Sequence, residues 1–139
     1  MSANAMTPAE IVEAYLAAHM IPDPVAASAF IGPGFEITFT GGRQMQEPAE
    51  ATAFNARRYK WVEKRFERLE TVAGGSPEET VVYSLGTLYG EWPDGTPFEG
   101  NRYIDRFVVW NSKIVRQSVW NDSAEILLDR AGLMPHDRL

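Results

Sequence analysis

Apolar positions recur at helical spacing near the start of the chain and alternate through its second half. Thr7-Pro8-Ala9-Glu10 carries the residues of a capping box, with proline in the first turn. Ile11, Ala14, Tyr15 and Ala18 follow at steps of three and four, which predicts an amphipathic helix over 8–20. Asp23-Pro24 opens a second, shorter helix by the same logic, carrying Val25, Ala26 and Phe30 and ended by Gly32-Pro33-Gly34. Residues 35–40 alternate up to Gly41-Gly42 and predict a strand turning into a short partner at 43–46. Pro48 opens a third helix to about residue 63, with Ala51, Phe54, Arg58 and Val62 on one face. Residues 64–72 read either as more helix or as a charged strand. The hairpin loop Gly74-Gly75-Ser76-Pro77 behind them favours the strand.

The second half is plainer. Residues 80–92 are rich in Val, Tyr, Leu and Thr, and Pro93-Asp94-Gly95-Thr96 is a strong hairpin turn. A long strand over 98–110, a tight turn at Asn111-Ser112 and a last strand over 113–120 follow. Asp122-Ser123-Ala124-Glu125 caps a final helix over 126–131, which Gly132 and Pro135 end. Helices come first and an antiparallel meander after them. That order predicts an α+β fold with the helices packed on one face of the sheet.

Composition narrows the chemistry. The 139 residues suggest one domain, with loose tails at 1–6 and 133–139. The net charge of −6 argues against a general nucleic-acid binder, which needs a basic footprint. The chain has no cysteine, so disulfides, thiolate catalysis, iron–sulfur clusters and cysteine-ligated zinc are excluded. Only His19 and His136 are histidines, too few for a three-histidine metal site. No cofactor is expected. The longest uncharged run, residues 24–35, holds 12 residues and two prolines, too short to span a membrane. With no basic start and no span, the expected location is cytoplasmic.

The order helix, helix, strand pair, helix, three long strands resembles the nuclear-transport-factor-2-like (SnoaL-like) superfamily over roughly 7–131. The pieces that carry the resemblance most specifically are Gly100-Asn101-Arg102-Tyr103-Ile104-Asp105-Arg106-Phe107-Val108-Val109, then Ser112-Lys113-Ile114-Val115, then Val119-Trp120-Asn121-Asp122. The first helix, Ile11-Val12-Glu13-Ala14-Tyr15-Leu16-Ala17-Ala18, adds a second match. The resemblance implies a cone: a curved antiparallel sheet wrapped around N-terminal helices, with an apolar pocket at the open end. It does not fix the reaction, because the fold hosts isomerases, epoxide hydrolases, polyketide cyclases, dehydratases and plain binding or dimerisation modules.

Strand alternation puts Tyr103, Asp105, Phe107 and Val109 on one face and Arg102, Ile104, Arg106, Val108 and Trp110 on the other. An aspartate between Tyr and Phe on an apolar face must be protonated, paired or facing a cavity, since burying it unpaired costs several kcal/mol. In the superfamily's ketosteroid isomerases an aspartate at this position stays neutral and donates a hydrogen bond to a developing oxyanion, partnered by a tyrosine on the first helix. Asp105 and Tyr15 match those positions. His19 lies one turn beyond Tyr15 and is the base candidate, or a partner for Asp105. The bland readings are a structural Asp105, a buried Tyr15 whose hydroxyl simply finds a partner, and a capping His19. The isomerases' proton-shuttling aspartate has no counterpart in Ile37-Thr38-Phe39-Thr40. Nor is the Asp-Arg-Asp set of the epoxide hydrolases complete: Tyr103 replaces the arginine and Val119 the second aspartate.

Candidate ligand-binding positions are Thr38, Tyr59, Trp61, Tyr83, Tyr103, Phe107, Gln117 and Asn121. The basic residues Arg57, Arg58, Lys60, Lys64, Arg65 and Arg68 are interrupted by Glu63, Glu67 and Glu70, which reads as a solvated face. The implied ligand is a small, mostly apolar molecule bearing a carbonyl or hydroxyl. Either cofactor-free acid–base catalysis (isomerisation, cyclisation or dehydration) or plain binding would use such a pocket. Ile104, Val108 and Trp110, helped by Val82, Leu88 and Trp92, form an outward face too apolar for open water, and a homodimer through it is expected. Neither nucleic acid nor a membrane is an expected partner.

Overall fold

The computed structural model describes residues 5 to 133. His136 and most of the expected tails, 1–6 and 133–139, lie outside them. In chain order the elements are α1 (Pro8–Met20), α2 (Pro24–Ser28), β1 (Ile31–Thr38), β2 (Gln44–Met45), α3 (Pro48–Arg58), β3 (Trp61–Ala73), β4 (Glu79–Glu91), β5 (Pro97–Trp110), β6 (Lys113–Asn121) and α4 (Ser123–Arg130). The strands make one curved, unclosed sheet in the order β2-β1-β6-β5-β4-β3. Every pairing is antiparallel except β1 with β6. This is the α+β architecture that the pattern predicts. No helix among the described residues is long and apolar enough to cross a membrane.

The local signals act as expected at α1. Thr7 and Glu10 form the reciprocal capping box, and Ile11, Val12, Tyr15 and Leu16 are buried against the sheet. Ile37, Val82, Phe107, Val109 and Ile114 supply the other half of that core. The hairpin turns also follow their sequences: Gly95 has φ +85°, and Asn111 and Ser112 both take positive φ, as a two-residue turn requires.

Three expectations need correcting. Gly32-Pro33-Gly34 does not end a helix, because α2 stops at Ser28 and these residues lie inside β1. The parallel pairing with β6 is irregular between Ile31 and Glu36, which accommodates a proline without an N–H and Gly34 at φ +76°. The third helix ends at Arg58 rather than near 63, because Tyr59 is extended and the next residues enter the sheet opposite β4. Val82, Leu88 and Trp92 do not belong to the outward face. They are buried, since β4 register places Val82 beside Phe107 and Leu88 beside Asn101, while Trp92 stacks on Phe98 and Tyr59.

One feature of β4 positions the site. At Gly86 an added Cβ would strike the Arg65 carbonyl oxygen, and at Gly90 the Trp61 carbonyl oxygen. The β3 backbone thus closes over the concave side of β4, and only glycine permits that approach. Gly86 also receives the Tyr103 ring, whose Cε2 would sit 2.9 Å from a Cβ.

Candidate functional site

The inward face of β5 carries Tyr103, Asp105 and Phe107, as alternation requires. Asp105 is 1% exposed. The Lys64 ammonium reaches across from β3 and sits 3.1 Å from its Oδ2. The same ammonium lies 4.0 Å from the centre of the Tyr103 ring, so a cation–π contact holds it from a second side. Apart from that ammonium, neither Asp105 oxygen has a hydrogen-bond donor among the described residues. Burial pushes the Asp105 carboxyl above the ordinary carboxylate range, and the Lys64 charge opposes that rise.

Tyr15 also faces this region, but its hydroxyl donates to Gln117 Oε1 at 2.8 Å, not to Asp105. Burial, and then the Asp105 charge, hold that phenol protonated far above its usual range. The Tyr103 hydroxyl shares a 2.9 Å hydrogen bond with Ser84. Its pKa is pushed up to about 12, mainly by burial. His19 packs edge-on against Tyr15, with ring centroids 4.6 Å apart, and its buried Nε2 has no hydrogen-bond partner among the described residues. Burial and the nearby Lys64 charge lower its pKa to about 4, so the imidazole is neutral at pH 7.

Asp105, Lys64, His19, Gln117 and Asn121 line an inner cavity of about 80 Å³. An outer cavity of about 300 Å³ adjoins it and shares His19, Asn55, Tyr59 and Glu63 with it. Tyr59 and Trp61 form part of the outer wall, and Thr52, whose buried Oγ1 has no partner among the described residues, lies there too. The candidate positions thus divide. Tyr59, Trp61, Gln117 and Asn121 line the cavities, although Asn121 Oδ1 already accepts the Ser123 N–H. Tyr103 and Phe107 are core residues beside the site, Phe107 packing edge-on against Tyr15. Thr38 and Tyr83 pair with Ser118 and Arg106 on the opposite face of the sheet.

Lys64 is the residue that sequence reasoning missed. A period-two reading of β3 would have found it, because Val62, Lys64 and Phe66 alternate onto one face. In the sheet those three pair with the inward Gly90, Leu88 and Gly86.

No family model matches the chain, and no curated protein matches it. Solved structures do. An NTF2-like protein from Burkholderia thailandensis E264 superposes with a TM-score of 0.69 at 24% identity, covering 94% of this chain and 99% of that one. A SnoaL-like polyketide cyclase assignment from Jannaschia sp. CCS1 gives 0.65 at 17% identity over 94% and 97%. A protein with a ketosteroid isomerase-like fold from Catenulispora acidiphila DSM 44928, in complex with trimethylamine, gives 0.60 at 18% over 83% and 86%. At these identities the likeness establishes the fold: the chain has the NTF2-like, SnoaL-like architecture.

His19 gives the site a measurable acid response. Its folded pKa lies below the unfolded value of 6.5, so the unfolded chain takes the proton first. Stability is then full above about pH 6.5 and falls as the pH drops through about 4. Asp105, raised by burial, contributes with the opposite sign and only below its own folded value. Urea unfolding at stepped pH is expected to show the wild type losing about 2–3 kcal/mol more than His19→Gln across this window. Equal losses in the two proteins would remove the buried neutral imidazole from the account.

Proposed function

We propose that this chain binds a small, mostly apolar molecule bearing a carbonyl or hydroxyl, and moves a proton on it without a cofactor. The reaction classes are isomerisation, cyclisation and dehydration. The observation that carries the reading is Asp105: wholly buried, paired with Lys64 through one oxygen, and with no other donor among the described residues, on the wall of a cavity. Buried carboxylates that serve only the fold have most of their lone pairs filled, so acceptor capacity left open beside a cavity suits a ligand. Protonating Asp105 would strand the Lys64 ammonium, which favours the carboxylate as proton acceptor over the neutral donor that the isomerase resemblance implies. A pKa raised by burial suits that acceptor. Neutral His19 is the second base in reach of the cavity. Tyr15 lines neither cavity; committed to Gln117, it holds that lining residue in place instead of donating to the ligand. That commitment also favours the competing reading, a binding protein with no reaction.

A second copy of the chain is the proposed partner. Trp110 and Trp120 are 47% and 50% exposed on the convex face, with Ile104 and Val108 half-buried between them. Apolar surface of that size favours being covered.

Three experiments test these readings. The neutral bicyclic ketone 2-tetralone is expected to raise the melting temperature, whereas tetralin, which lacks the carbonyl, raises it less. The protein is also expected to speed exchange of the ketone's α-hydrogens for deuterium, read by proton NMR. Binding without exchange establishes the non-catalytic reading, and no shift with either compound removes the ligand site. For the partner, Trp110→Glu is expected to convert a sedimenting dimer to monomer, and an unaltered sedimentation coefficient places the interface elsewhere.

A further inference from the structure

The phenols around the cavity are all engaged. Tyr15 donates to Gln117, Tyr59 donates to Ser123 at 2.7 Å, and Tyr103 is hydrogen-bonded to Ser84, with either hydroxyl able to donate. None is free to stabilise charge on a ligand oxygen. Lys64 is different. It lines the inner cavity beside Asp105, its side chain is 18% exposed, and Asp105 is the one carboxylate it meets among the described ion pairs. The ring of Tyr103 and the Asp105 carboxylate hold the ammonium in place without saturating its three donors.

We propose that Lys64 is the electrophile of this site: its ammonium receives the negative charge that develops on a ligand's carbonyl oxygen as Asp105 takes a proton from the adjacent carbon. The assignment rests on the acid–base reading above and names its substrate class: neutral carbonyl compounds with an ionisable C–H beside the carbonyl. In the step, the C–H bond breaks and its electron pair forms the carbon–carbon double bond of an enolate. The carbonyl π pair moves onto oxygen, beside Lys64, and the proton passes to an Asp105 oxygen. Returning that proton to a different carbon completes an isomerisation. Attack of the enolate carbon on a second carbonyl of the same molecule completes a cyclisation, with Asp105 returning its proton to the new alkoxide.

Charge bookkeeping sets the preference for neutral ligands. Before the step the buried pair is one carboxylate and one ammonium, and after it one enolate and the same ammonium; Glu63, which also lines the cavity and accepts from the Tyr89 hydroxyl, takes no part in the transfer. The negative charge moves across the cation and is never left unpaired in a low-dielectric cavity, where an unpaired ion costs several kcal/mol. A ligand carboxylate would add a second negative charge with one cation to serve both.

The test uses 4-nitrophenolate, an oxyanion on an apolar ring whose visible absorbance reports its surroundings. Asp105→Asn removes the resident counter-ion, so this variant is expected to bind 4-nitrophenolate about tenfold more tightly than the wild type. The Lys64→Met/Asp105→Asn double variant, neutral at both positions, is expected to lose that gain, with melting curves confirming that each protein is folded. Asp105→Asn binding no tighter than wild type, or a double variant binding as tightly as the single, overturns the assignment. Should Asp105→Asn not fold, the decision passes to Lys64→Met and deuterium exchange into 2-tetralone. That exchange is expected to slow about 100-fold at unchanged affinity, and equal rates overturn the assignment. Failure of the wild type to exchange 2-tetralone counts against the catalytic reading itself, while the phenolate comparison still decides the role of Lys64.

Discussion

A carboxylate carried into the concave face of a sheet is tolerable only if something answers its charge, and in this protein the answer comes from two strands away. Asp105 sits on β5 and Lys64 on β3, with β4 between them. Removing one member of such a pair costs about 3–5 kcal/mol, because the survivor is left charged and dry. The pair therefore constrains much around it: the curl of β3 over β4, the ring of Tyr103 beneath the ammonium, and the helices that keep water away. It is a costly arrangement for a purely structural purpose, since apolar residues of similar volume would pack as well or better.

The geometry that brings Lys64 home depends on residues with little or no side chain. Gly86 and Gly90 allow the β3 backbone to close over β4, and Gly86 leaves the space in which the Tyr103 ring lies. The register slip between Phe66 and Arg68 falls just beyond this close approach. Up to Phe66 the even-numbered residues of β3 pair with the inward residues of β4; past the slip Leu69, paired with the buried Ser84, does so instead. The exposed remainder of β3 carries the mixed charges of an edge strand. Curvature, cation and cavity are thus three consequences of one local backbone approach.

Much of this was legible in the residues. Capping at Thr7 and Asp23, turn chemistry at Asp94-Gly95 and Asn111-Ser112, and alternation along β5 each mark a local preference that the fold keeps. The inward orientation of Asp105 follows from a period of two and nothing more. Other features were hidden because they are tertiary. Gly32-Pro33-Gly34 carries a breaker's composition, yet a parallel strand absorbs it through an irregular register. Lys64 is surrounded by charges of both signs, and the solvated-face reading suits most of its neighbours while failing at the one position that points inward. The partner of Tyr15 was equally invisible: Gln117 and Asp105 lie on adjacent strands, and only the packed positions decide which of them meets the phenol.

The charge state of one buried group decides whether this site exists. Isotope-edited infrared spectroscopy, comparing the wild type with Asp105→Asn, separates the carboxylate band of Asp105 from a carboxylic acid band. At neutral pH the wild type should show Asp105 as a carboxylate, and Lys64→Met should convert it to the protonated acid. The same protonation state with and without the lysine would contradict a site built on that ion pair.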